Sequence, residues 1–189
     1  MRRLICVATA ALLLSACTQP APVATDGPGQ TAGGPSSAVP TDQAAIFETV
    51  VRRYLSTPSE NSFPDAFETA YLLDRTDPSA ADPMSGGAPT GEPITAAEQS
   101  YLREALADLA EIEFVATPEE VLTNVDECAQ VPEGGILIRL GPPEGDADRV
   151  EVGINGFVAC LGATWLTYVV ERDASDWSVT GTTGDMAIS

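Results

Sequence analysis

The side chains able to do chemistry in this chain are carboxylates, four cysteines, four tyrosines and nine arginines; its 189 residues include no histidine and no lysine. The commonest general base and zinc ligand, the Schiff-base amine and the lysine of phosphate loops are therefore all missing. Serines are plentiful, but no G-x-S-x-G elbow is present and no imidazole is there to activate one. Glu144, Asp146 and Asp148 alternate after Pro142-Pro143. They lack the third aspartate, glycine and terminal glutamate of a calcium loop and read as a solvated acidic turn. No cofactor and no metal site are expected. With 28 Asp and Glu the formal charge is −19, which argues against nucleic acid as a partner and against electrostatic attraction to an anionic membrane. A hydrophobic content of 44% belongs to a folding chain with room for about one domain.

The cysteines divide by position. Residues 1–16 combine Arg2 and Arg3 with an apolar run from Leu4 to Leu14, the pattern of an export signal too short to span a bilayer. Leu14-Ser15-Ala16-Cys17 resembles the lipobox of bacterial lipoproteins. That resemblance implies a diacylglyceryl group on the Cys17 thiol, cleavage that leaves Cys17 first, and anchoring on the extracytoplasmic side of the cell membrane. The alternatives are an ordinary signal peptide and, from the paired arginines, twin-arginine export, whose motif the neighbouring residues match poorly. Residues 17–42 would then be the lipidated cysteine and a tether. Five prolines and four glycines lie between Thr18 and Gln43, with no aromatic residue, Leu or Ile. Such a segment cannot offset its ordering entropy and would reach roughly 25–30 Å as a coil. In an exported domain the remaining pair, Cys128 and Cys160, defaults to a disulfide.

The elements that must position any site fall within residues 43–189. Ile46, Phe47, Val50, Val51, Tyr54 and Leu55 recur at helical spacing behind Thr41 and Asp42, and predict an amphipathic helix ending at Ser56-Thr57-Pro58. Phe63 to Leu73 is open between helix and strand. Residues 76–93 hold four prolines and three glycines, and read as a mobile loop or a lid. Thr95 to Glu98 forms a capping box for a second helix running to about Ala110. Ile112–Val115 reads as a strand, followed by a short capped turn from Thr117 to Leu122.

Apolar alternation in the C-terminal third predicts hairpins. Leu140 is expected beside Val150 and Ile138 beside Val152, then Val158 beside Leu166 and Gly156 beside Tyr168, and last Val170 beside Val179 and Tyr168 beside Gly181. The expected architecture is α+β: N-terminal helices packed on a bent antiparallel meander sheet of four to five strands. In this register Tyr168 has Gly156 and Gly181 as cross-strand neighbours, which leaves a hollow above its ring. The hollow is either a ligand pocket with a phenol handle or space filled by packing. Asp65, Glu68 and Tyr71 are candidates to face it. On the opposite face the same register gathers Phe157, Trp165 and Val169 into an apolar patch. Such a patch suits a homodimer or a protein partner, unless the 76–93 loop covers it.

Helices first, then a strand, then an antiparallel sheet ending in Trp177-Ser-Val179-Thr-Gly181, resembles the ketosteroid-isomerase-like, or SnoaL-like, cone fold. The resemblance implies a sheet curled around helices over a conical pocket, used by some members for isomerisation or dehydration and by many for binding alone. The histidine those enzymes often use is absent, and no aspartate here matches a catalytic position of the family. Fold likeness does not carry activity across. The expectation is a membrane-anchored extracytoplasmic domain that binds a small molecule or a protein partner and catalyses nothing. The alternatives are a cone-fold enzyme using carboxylate acid–base chemistry and a purely structural envelope protein.

The lipid assignment has a direct test. Cys17→Ser is expected to release the protein from membranes with its domain folded; a variant that still fractionates with membranes would refute the anchor.

Overall fold

The computed structural model describes residues 41–63, 66–174 and 176–189. Cys17, the export signal, the tether up to residue 40, Asp65 and Ser175 lie outside the described residues. Helix α1 (Asp42–Ser56) starts where the Thr41 hydroxyl accepts from the Ala44 amide at 3.1 Å, and it buries Ile46, Phe47, Val50, Val51 and Tyr54. Its spacing and cap are those read from the sequence. A short helix α2 (Pro58–Asn61) follows. Helix α3 (Ala96–Ala105) has the full capping box between Thr95 and Glu98 but stops short of Ala110. The Thr41 hydroxyl also donates to Glu98 Oε1 at 2.7 Å, so the two helix starts share one hydrogen-bonded node.

The sheet differs from the expected meander. It has nine strands: β1 (Thr69–Leu73), β2 (Glu111–Val115), β3 (Thr123–Val125), β4 (Cys128–Gln130), β5 (Gly135–Leu140), β6 (Glu144–Asp146), β7 (Arg149–Ala159), β8 (Gly162–Asp173) and β9 (Asp176–Ile188). The undecided Phe63–Leu73 segment supplies β1, which pairs parallel with β2 on one side and with β5 on the other. The chain returns from β1 to β2 through α3, a crossover that makes parallel pairing possible. From β5 onward the pairing is antiparallel. Among the described residues β2 pairs only with β1, and β9 only with β8. The sheet is therefore mixed and open, and the SnoaL-like cone implied by the element order is overturned.

The registers shift for identifiable reasons. β6 forms its own hairpin with the start of β7, so β5 meets β7 four residues later than expected: Leu140 faces Ile154 and Ile138 faces Gly156. The β7–β8 turn tightens to Cys160-Leu161, which sets Ile154 opposite Leu166 and Val152 opposite Tyr168. Both shifts are even, and an even shift leaves every side chain on its original face. The Val150, Val152, Ile154, Leu166, Tyr168 and Val170 face is accordingly buried. Between β8 and β9 Val170 does face Val179, but Thr180 is an extra residue at a bulge, so Tyr168 pairs with Thr182 and Gly181 with Val169.

The sheet buries both faces. Beneath α1 and α3 lies the main core, with Phe47, Tyr54, Leu72, Leu102, Leu106, Ile136, Ile154 and Tyr168 among its members. On the other face Leu73, Val115, Val131 and Leu137 form a second core, joined by Tyr71, Val121, Leu122 and Phe157. The segment from the 3₁₀ turn Pro118–Glu120 through β3 and β4 contributes its cover. Cys128 and Cys160 are disulfide-bonded with Cα atoms 5.5 Å apart, tying β4 to the β7–β8 tip. The 76–93 loop closes with a bridge between Arg75 and Pro93, an ion pair from Asp77 to Arg139, and Ala81 laid against Gly153. Among the described residues every member of both cores lies between Ile46 and Val179.

Gly156 is the tightest helix–sheet contact. A Cβ there would lie 2.0 Å from the Tyr54 hydroxyl and 2.7 Å from Cζ, with no room to yield inside the core. Gly156→Ala is expected to destabilise the domain by about 2–3 kcal/mol, as overpacking does. Adding Tyr54→Ala should recover part of the Gly156→Ala loss in a double-mutant cycle read by denaturant melts; strictly additive losses would show that the contact is not the cause.

Candidate functional site

Tyr168 lies on the core face, as its alternation requires, and its ring is fully buried. Its cross-strand neighbours are Val152 and Thr182, so neither Gly156 nor Gly181 leaves a hollow above it. The space at Gly156 holds Tyr54 from α1, while Gly181 faces open space. A buried phenol must satisfy its hydroxyl. Tyr54 and Thr164 share a short hydrogen bond, and Tyr168 donates to Glu60 Oε2 at 2.8 Å. Arg53 Nε donates to the same Glu60 oxygen at 2.9 Å, so α1, α2 and β8 meet in one polar chain.

The electrostatics of this chain are those of a satisfied network. Burial pushes the Tyr54 hydroxyl up to about 12, against the opposing pull of Thr164. Burial, then donation to Glu60, raises Tyr168 well above the usual phenol range. The Arg53 hydrogen bond lowers Glu60, burial opposes it, and the Tyr168 hydroxyl lowers it further. Both phenols stay neutral and Glu60 stays ionised at neutral pH. Glu98 is also lowered: burial raises it, but the Thr41 and Thr95 hydrogen bonds outweigh that.

An open groove of about 540 Å³ lies at the β7–β8 tip. Phe63, Phe67 and Val158 supply its apolar wall, the two rings packed edge-to-face with centroids 5.4 Å apart. Glu68, Glu133, Gly134 and Gly135 also line it. Gly134 has φ +77°, a turn conformation suited to glycine, and the Glu68 side chain lies over it, 3.2 Å from where a Cβ would stand. Smaller clefts run along β9. One of about 490 Å³ lies between Arg52 and Arg53 of α1 and Trp177–Val179, and one of about 200 Å³ lies between Glu60 and Thr182–Gly184.

The structure thus disperses the residues singled out in the sequence. Glu68 rims the groove, Tyr71 packs in the second core, and Asp65 is outside the described residues. Phe157 also joins the second core, Val169 is buried, and Trp165 is half-buried opposite Asn155. Glu144 and Asp146 are exposed on β6. Among the described residues no cluster of three Cys, Asp or Glu is arranged to hold a metal, and no helix is long and apolar enough to cross a membrane. Sequence reasoning missed Glu60, Arg53 and Thr164, and the groove pair Phe63 and Phe67, whose four-residue spacing was the available signal. No family model matches the chain, and neither the curated proteins nor the solved structures searched include a significant match.

Glu60 makes the network pH-sensitive. Its folded pKa is lowered, so its stabilisation is present above its ordinary value of 4.5 and is lost as the pH falls through the folded value. Melting curves of the wild type should lose stability below about pH 4.5 more steeply than those of Glu60→Gln; parallel losses would remove Glu60 from the acid transition.

Proposed function

We propose that this protein is a lipid-anchored, extracytoplasmic binding module without catalytic activity, and that the Phe63–Phe67 groove takes an apolar group bearing a positive charge. The observation that carries the reading is the groove itself: two phenylalanines and Val158 share the lining of one open concavity with two carboxylates, Glu68 and Glu133. Aromatic faces attract cations and carboxylates neutralise them, while the walls accept apolar surface. The surplus of negative charge in the chain adds a field that draws cations and repels anions.

The position of the groove supports the anchored arrangement. Thr41, where the tether would join, caps α1 near the β8–β9 turn, as the Asp42–Arg172 ion pair shows. The groove lies at the start of β8, and β8 runs 12 residues from Gly162 to Asp173. At about 3.3 Å per residue the two ends are separated by roughly 35 Å. A tether joined at Thr41 would thus attach at the end of β8 away from the groove.

The chemistry speaks for binding over catalysis. A carboxylate general acid needs its pKa raised toward neutrality. The carboxylates that depart from their ordinary values, Glu60, Asp82, Glu98, Asp108 and Glu119, are all lowered.

Calorimetric titration with a phenylalkylammonium cation and with the matching uncharged alcohol tests the reading. The cation is expected to bind more tightly, by about tenfold for each carboxylate that contributes about 1.4 kcal/mol. Glu68→Gln with Glu133→Gln should erase the preference, and Phe67→Ser should weaken both probes. Failure of both probes to bind the wild type would refute the groove as a cation site.

A further inference from the structure

We propose that the free edge of β9 pairs with the same edge of a second copy of this chain, joining two open sheets into one. The edges at β2 and β9 are protected very differently. β2 is five residues long and exposes Glu111 and Glu113, the short charged edge that discourages strand addition. β9 is 13 residues long and, among the described residues, pairs only with β8. From Trp177 to Gly184 it reads Trp-Ser-Val-Thr-Gly-Thr-Thr-Gly, eight consecutive residues without a charge or a proline in a chain of formal charge −19.

The exposure of β9 changes along its length. Trp177 and Val179 pack toward the main core, and the Thr49 hydroxyl donates to the Trp177 carbonyl at 3.2 Å, so α1 serves the first part of the strand. Beyond the Thr180 bulge every residue from Thr180 to Met186 is exposed, on both faces of the strand. Backbone amides and carbonyls along such an edge are a template for another strand.

Charge selects the occupant. Two copies of an acidic chain can approach closely only where carboxylates are absent, and 177–184 is such a stretch. Antiparallel pairing about a twofold axis at Thr182 sets Gly181 beside Thr183 of the other copy. The one carboxylate of this half, Asp185, then lies opposite Val179, so no like charges face each other. Threonine pairs across strands are favourable, and like-charge pairs are not. Long-range repulsion between the copies remains, and salt screens it. Self-association should therefore strengthen as salt is added, whereas capture of a basic peptide by the same edge would weaken.

Sedimentation velocity of the chain from residue 18 onward, which keeps both cores, tests the proposal. The wild type is expected to dimerise with rising concentration, and more readily in high salt. Thr182→Asp places a carboxylate against its own copy and should give a monomer that is still folded by circular dichroism; Thr182→Ser should still dimerise. Hydrogen exchange should show protection of the 178–186 amides in the wild-type dimer and loss of that protection in Thr182→Asp. A wild type that stays monomeric up to about 100 µM in high salt would overturn the proposal. So would a Thr182→Asp variant that dimerises as well as the wild type, which would move the interface elsewhere, for example to Trp165.

Discussion

Two phenols in an apolar helix–sheet interface set the constraint around which the rest is arranged. Tyr54 and Tyr168 bring large apolar rings into the main core, and each must find a partner for a hydroxyl that water cannot reach. Thr164 serves the first and Glu60 the second. Glu60, half-buried, is held in turn by Arg53, whose Nε donates to the same carboxylate oxygen. The distance from α1 to the sheet follows from the Tyr54 hydroxyl entering the space above Gly156. The position of α2 follows from Glu60. The Asn61 side chain then holds the α2 end to α1 by donating to the Tyr54 carbonyl at 2.7 Å.

Burial of the other sheet face explains the parts that looked dispensable in the sequence. β1 has parallel neighbours on both sides, and its residues Ala70 and Leu72 enter one core while Tyr71 and Leu73 enter the other. Strands of this kind must be covered on both faces. The segment from Pro118 to Val131 supplies one cover, and the disulfide fixes it to the β7–β8 tip although β4 meets β7 at only the Gln130–Ala159 pair. Arg139, on the same side, is neutralised by Asp77 from the 76–93 loop. Phe157 is absorbed beneath this cover, which is why an apolar outer face in the sequence does not mean an exposed one.

Local patterns in the sequence carried the helix starts and the buried face of the C-terminal strands. Thr41 and Thr95 are caps because a hydroxyl before an apolar stripe satisfies amides that the helix cannot. Face assignment survived two wrong registers because both errors were even. Parallel pairing did not show, since β1, β2 and β5 meet across long stretches of chain and no local pattern records their order. The Thr180 bulge did not show either, and one extra residue was enough to exchange Gly181 for Thr182 beside Tyr168. Of the candidate site, the need for a Tyr168 partner was legible, but Glu60 reaches it only through the turn made by α2.

Every arginine among the described residues is engaged. Arg52 pairs with Glu48 and Asp108, Arg53 with Glu60, Arg139 with Asp77, Arg149 with Glu171, and Arg172 with Asp42. Arg75 donates to the Gly91 carbonyl, Arg103 lies over the Phe114 ring, and Arg172 also stacks on Trp177. The positive charge of the domain is therefore committed to holding its own elements together, and what remains outward is carboxylate. A cation would meet Glu68 and Glu133, which form no ion pair among the described residues. The same asymmetry makes the uncharged stretch of β9 distinctive. On a surface where most close approaches bring carboxylates together, a neutral edge is where another backbone can come within hydrogen-bonding distance.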